Sequence, residues 1–169
     1  MRIRPRRNRK NETVRAMIAE TSLHPADLMY PLFLNFGEGA PEPIPSLPGI
    51  FRFSQSDLER EIEAAIALGI RSFVLFPAVP EKFKDKKATY ASAPENFYLK
   101  GIRQIKEKFP EIALMSDVAM DPYSSDGHDG LVENGVILND KTLPILADMA
   151  VAQAQAGIDI VGPSDMMDG

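Results

Sequence analysis

No cysteine occurs in the 169 residues, so a disulfide framework, a thiolate metal site and a cysteine nucleophile are all excluded. A bound metal would have to take oxygen ligands or one of the two histidines. No apolar run approaches the roughly 18 residues that a membrane span requires, and no short apolar stretch follows the basic N-terminus as a secretory signal would. A soluble, cytoplasmic protein is expected. Nor does any Gly-rich fingerprint follow the first apolar run, which argues against a dinucleotide-binding fold.

What remains is ordinary for a globular chain: 44% hydrophobic and 25% charged residues, enough for one domain with a core. The net charge of -5 hides an asymmetry. Of the 19 basic residues, Arg2, Arg4, Arg6, Arg7, Arg9 and Lys10 fall in the first ten positions, which leaves thirteen to face all 24 acids. No aromatic residue is interleaved with this basic head, and the acidic body would repel phosphate, so nucleic acid is a poor partner. The head reads instead as an arm, residues 1–27 with a short helix over 12–20, that lies on another copy of the chain.

From residue 28 onward the pattern alternates. Leu28–Leu34, Arg71–Pro77, Glu111–Asp117 and Ile158–Gly162 are apolar runs of strand length. Between them lie helical stretches. One is capped by Ser54 and stopped near Gly69, a second is opened by Pro94 and runs to about Lys108, and a third is capped by Asp140, carries Pro144 in its first turn and ends at Gly157. Residues 35–48 hold too many glycines and prolines for regular structure, and 81–93 reads as a charged loop. Near-continuous apolar strands separated by amphipathic helices imply an α/β fold with parallel strands, best read as the first four units of a TIM barrel. Four such strands would leave two sheet edges unpaired.

In barrels, chemistry gathers at the C-terminal ends of strands and in the loops that follow. The segment from Asp117 to Gly130 places Asp117, Asp121, Asp126, Asp129 and His128 within fourteen positions, broken by Pro122, Gly127 and Gly130. Carboxylates suit hard divalent cations, magnesium above all, although Asp and Gly also recur in loops simply because they favour turns. An EF-hand is excluded, because counting from Asp121 puts Tyr123 at the third ligand position and Asp126 where glycine is obligatory. His128, beside glycines, reads as a loop hydrogen-bonding group.

Four segments carry a resemblance: Arg4-Pro-Arg-Arg-Asn-Arg9, Leu47-Pro-Gly-Ile50, Asp117 to Gly130, and Gly162-Pro-Ser-Asp-Met-Met-Asp-Gly169. In identity, order and spacing they resemble the porphobilinogen synthases (delta-aminolevulinic acid dehydratases), in the cysteine-free subgroup with Ala119, Asp121 and Asp129 where zinc-dependent members have three cysteines. The resemblance implies a (β/α)8 barrel that condenses two molecules of 5-aminolevulinate into porphobilinogen with loss of two waters, in tetrapyrrole and haem biosynthesis. It further implies Asp117 as a catalytic carboxylate, Ser164 as a catalytic hydroxyl, Asp121 and Asp129 as metal ligands, no organic cofactor, and a homo-oligomer of octamer type. The lysines that form Schiff bases in the family belong to its second half, so residues 28–169 are expected to be an N-terminal half-barrel without activity of its own. In the family, the region matching the basic loop with Lys82, Lys84, Lys86 and Lys87 helps to close the site; otherwise that run is a solvated surface. A different class of function, a non-catalytic half-barrel that binds a metal or a partner chain, is the alternative.

Overall fold

A computed structural model describes residues 3–169; Met1 and Arg2, the latter one of the six cations of the basic head, lie outside the described residues. The head forms a 3-10 turn over Pro5–Arg9 and a short helix α1 (Glu12–Met17), whose first turn is capped by the Asn11 side chain accepting from the Val14 N–H at 2.9 Å. Helix α1 ends three residues earlier than the sequence suggests. No residue between 3 and 20 is buried, so nothing on the arm is fixed by the core of its own chain.

The sheet is built around β1 (Met29–Asn35), with β2 (Glu42–Pro43), β3 (Phe51–Phe53), β4 (Ser72–Ala78), β5 (Ala113–Val118) and β8 (Ile160–Pro163). Its order is β2-β3-β1-β4-β5-β8. The expected four strands are present within two residues of their predicted bounds, all parallel, each beside its predecessor in the chain. Among these four strands the order does not reverse, and the three-residue β3 is added in parallel on the far side of β1. Two corrections concern the segment before α2 (Gln55–Ala67). Ile44 and Ile50 close a turn around Gly49, whose φ of +84° suits glycine, and residues 35–48 thereby contain the short strand β2. That turn also lays β3 against β1, pairing Phe33 with Arg52 and Leu34 with Phe53, so one of the two expected bare edges is partly covered.

Side-chain alternation gives the sheet two different faces. Leu32, Leu34, Phe73, Leu75 and Leu114 are buried on one face, against Leu58 and Ile62 of α2 and Tyr98, Leu99, Ile102 and Ile105 of α3 (Phe97–Lys108). Burial of apolar surface, at roughly 25 cal/mol per Å2, stabilises this contact. Gly101 allows α3 to come close, because a Cβ there would stand 2.6 Å from Leu34 Cδ2. Phe33, Val74, Phe76, Met115 and Asp117 point to the other face and are only half-buried.

Helix starts follow their caps. Ser54 accepts from the Asp57 N–H, and the Asn96 side chain accepts from the Tyr98 N–H at 2.9 Å, so α3 begins after Asn96 and not at Pro94. Helix α4 (Asn139–Ala156) has Leu138 as its N-terminal boundary, which places Asp140 inside the first turn and Pro144 beyond it. Thr142 is the cause: its N–H and hydroxyl both donate to the Leu138 carbonyl, and its oxygen accepts from the Leu131 N–H, tying the start of the helix to the preceding loop. Gly157, at φ +106°, terminates α4 as expected. Between β5 and α4 the chain leaves the sheet and makes a hairpin of β6 (Val132–Glu133) and β7 (Val136–Ile137), the behaviour its prolines and glycines predict.

Candidate active site

The site lies at the C-terminal end of β5 and is assembled by its ladder to β8. Register pairs Asp117 with Gly162 and Val118 with Pro163, and the Ser164 N–H continues it by donating to the Val118 carbonyl at 3.4 Å. Gly162 permits that approach, since a Cβ would meet the Ser116 carbonyl oxygen at 2.9 Å as well as the Met115 side chain. The consequence is local and chemical: Ser164 Oγ donates to Asp117 Oδ1 at 2.6 Å. The two residues that sequence reasoning singles out for catalysis, 47 positions apart, thus meet at one strand end.

One residue further, Asp165 crosses over and accepts from the Met120 N–H at 2.9 Å. It brings its carboxylate to Asp121 and Asp129, and one oxygen from each of the three lies within 4.8 Å of the others. Asp121 and Asp129 therefore do converge, with a third acid that sequence reasoning passed over although it stands beside Ser164 in the same motif. Asp126 stands apart from the group, 3.8 Å from Lys86 Nζ, and His128 is exposed.

Partial burial of these acids raises the cost of their charge. The Asp117 carboxyl is pushed up chiefly by burial, with the Ser164 hydrogen bond pulling it back and the Asp129 charge adding to the rise. Asp121 is raised by burial and then by Asp129 and Asp117, against a smaller pull from Lys84. Asp165 goes furthest, to about 6, by burial first and by its three acidic neighbours, although the Met120 N–H works in the other direction.

Asp117 and Asp121 line a cleft of about 640 Å3 that opens over the half-buried face of the sheet and also includes Phe33, Phe76, Arg52 and Lys84. Lys84 comes from the basic loop after β4. That loop is anchored: the Asp85 N–H donates to the Tyr123 carbonyl at 3.2 Å, and the Asp85 carbonyl accepts from the Ser125 N–H at 3.1 Å. Asp85 also accepts from the N–H groups of Lys87 and Thr89, and these bonds hold its carboxyl below its usual range despite the opposing effect of burial. Two 3-10 turns, Glu81–Phe83 and Thr89–Ser92, occupy what reads in sequence as plain loop. None of the lysines ends an inner strand, and Lys84 is the lysine that borders the cleft.

Residues 2–169 match the family model described as Delta-aminolevulinic acid dehydratase. Curated relatives carrying that name include proteins of Chlamydia pneumoniae, 48% identical over 98% of this chain and 50% of the relative, and Bradyrhizobium diazoefficiens, 47% identical over 99% and 47%. A chloroplastic relative from Glycine max is 48% identical over 98% of this chain and 40% of its own length. Among solved structures, the delta-aminolevulinic acid dehydratase (porphobilinogen synthase) of Toxoplasma gondii, in complex with the reaction product porphobilinogen, superimposes with a TM-score of 0.94 at 46% identity, over 100% of this chain and 48% of that one. The chain spans about half the length of the curated relatives it matches. On a match that runs through the arm, the sheet and the Asp117–Ser164 site alike, the chain belongs to the delta-aminolevulinic acid dehydratase family.

Proposed function

We propose that residues 28–169 supply the first four units of a (β/α)8 barrel, with 1–27 as its arm, in an enzyme that condenses two 5-aminolevulinate molecules into porphobilinogen and releases two waters. The observation that carries this reading is the hydrogen-bonded Asp117–Ser164 pair at the end of β5, beside an open cleft of about 640 Å3. Imine formation and ring closure both move protons between amines, carbonyls and water. A carboxyl raised above its ordinary value can hold a proton and pass it on near neutral pH, and a hydroxyl donating to it fixes which oxygen does so. The amines that form Schiff bases in this family are assigned to the other half of the barrel, where each would attack a substrate carbonyl and expel one water.

Asp121, Asp129 and Asp165 are the residues that would hold a divalent cation. Their donor set is hard oxygen throughout, and three converging acids, two of them raised in pKa, gain from a positive charge between them. Magnesium or manganese fits this chemistry better than zinc, and its positive charge would act on the neighbouring Asp117 side of the site. We further place the protein in the cytoplasm as a homo-oligomer, held partly by the exposed basic arm lying on an acidic neighbouring copy. No helix among the described residues is long and apolar enough to cross a membrane.

Supplying the complete protein with 5-aminolevulinate and following pyrrole formation tests the reading. Porphobilinogen is the expected product, and Asp117→Asn is expected to lower kcat by about 10²–10⁴-fold, the usual range for removing a general acid or base. No product from the unaltered protein would end it. The 169-residue chain by itself is expected to give neither product nor a borohydride-trapped substrate adduct.

A further inference from the structure

Asp117 sits where the ladder between β4 and β5 comes apart. The strands pair from Ser72↔Ala113 to Leu75↔Ser116 and then separate, although β4 runs on to Ala78 and β5 to Val118. In a parallel ladder continued by one step, the Asp117 N–H would donate to the Leu75 carbonyl, and residue 77 would donate to the Asp117 carbonyl. Residue 77 is proline and has no N–H to give. Two side chains from the helix layer take over. Tyr98 of α3 donates its hydroxyl to the Leu75 carbonyl at 2.6 Å, and Gln153 of α4 donates Nε2 to the Asp117 carbonyl at 2.9 Å. Gln153 Oε1 also accepts from Ser116 Oγ at 2.6 Å, so both polar atoms of the amide are committed to β5.

Tyr98 and Gln153 are 0% and 1% exposed, which puts them out of reach of any substrate. They lie on the helix side of the sheet, whereas the carboxylate of Asp117, one residue on from Ser116, points to the cleft. The opposite edge of β5 is held separately by β8, through the Ser164 N–H to the Val118 carbonyl. The backbone at Asp117 is therefore suspended between a ladder on one side and two side-chain hydrogen bonds on the other. We propose that Gln153, together with Tyr98, is a positioning residue: it holds β5 off β4 at residue 117, so that the carboxylate meets Ser164 at the cleft.

This inference rests on the reading of Asp117 as the proton-handling group, and its test separates the two. In the complete protein, Gln153→Met keeps the length of the side chain and removes both hydrogen bonds. Its kcat for porphobilinogen is expected to fall about 10- to 100-fold, the scale of a misplacement near 1 Å, with KM changed less than about twofold. Tyr98→Phe removes a single oxygen and frees the Leu75 carbonyl for the Asp117 N–H, which would draw β5 one step closer to β4; its kcat is expected to move in the same direction, and it carries the test if Gln153→Met does not fold. Ile105→Ala, a truncation of the same core away from β5, serves as the stability control: its melting temperature is expected to drop while kcat at low temperature holds. A kcat for Gln153→Met and Tyr98→Phe no lower than that of Ile105→Ala overturns the proposal. Should the unaltered protein form no porphobilinogen, the functional reading fails, and crystal structures of the two variants still decide the positioning role. Loss of the Ser164–Asp117 hydrogen bond upholds it, and an unmoved Asp117 refutes it.

Discussion

Asp165→Asn should make the metal-free protein more stable at neutral pH. The Asp165 carboxyl has a pKa of about 6 in the folded chain against an ordinary 3.8, raised chiefly by burial and then by Asp129, Asp121 and Asp117. A carboxyl whose folded pKa lies above its unfolded one binds its proton more tightly when folded. Its contribution to stability is therefore best at low pH, is lost as pH rises from about 4 to about 6, and stays lost above that. A shift of about two units corresponds to about 3 kcal/mol. Asp165 is only about half-buried, so solvent screening reduces this to roughly 1.5 kcal/mol. For 150–250 residues that amounts to about 3–6 °C in melting temperature. Asparagine keeps an oxygen for the Met120 N–H, now at 2.9 Å from Asp165, and so removes the charge without removing the bond. Thermal unfolding with a chelator should thus show the variant above the parent at about pH 7.5 and level with it at about pH 4. Added magnesium should reverse the order, because only the parent keeps all three carboxylates to bind it and gain by linkage. A variant that melts at or below the parent at neutral pH in chelator would show that burial and the neighbouring acids do not destabilise the Asp165 charge.

Further outcomes follow from the same structure. Gly162→Ala should destabilise the protein by about 1–3 kcal/mol in denaturant titration, the cost of overpacking, because its Cβ would press on the Ser116 carbonyl and Met115. Isothermal titration should find magnesium or manganese bound in preference to zinc, with Asp121→Ala and Asp129→Ala weakening it; zinc binding that survives both substitutions would move the site elsewhere. Deleting residues 1–10 should reduce the oligomer seen by light scattering, more readily at high salt, since exposed ion pairs are screened.

Much of this fold is legible locally. Leu32, Leu34, Phe73, Leu75 and Leu114 alternate with residues of the other face, Ser54 caps its helix, and Gly69 and Gly157 stop theirs, each through an effect confined to a few neighbouring residues. The rule that chemistry gathers at strand ends points to the segment that begins at Ser116, while the choice of Asp117 within it rests on the resemblance. What escapes sequence reasoning is whatever depends on register between distant segments. Strand β3 is three residues long and becomes a strand only because the turn at Gly49 lays it on β1. The start of α4 is set by Thr142 holding Leu131 and Leu138, a contact that periodicity cannot reveal.

The acidic centre makes the same point in chemical terms. Asp121 and Asp129 stand out by spacing, but Asp165 reaches them only because Asp117 pairs with Gly162, and a one-residue slip of β8 would send Ser164 and Asp165 to opposite faces. That register depends in turn on a glycine at 162, whose missing side chain lets β8 pass the Ser116 carbonyl. On the other edge of β5, Pro77 leaves the Asp117 carbonyl without a ladder donor, and Gln153 takes it up while Tyr98 takes the Leu75 carbonyl, although both read in sequence as ordinary positions on amphipathic helices. The carboxylate of Asp117 is thus placed by a glycine on one neighbouring strand and a proline on the other. Neither residue offers a polar side chain to the site, yet together they determine where the Asp117 carboxylate must stand.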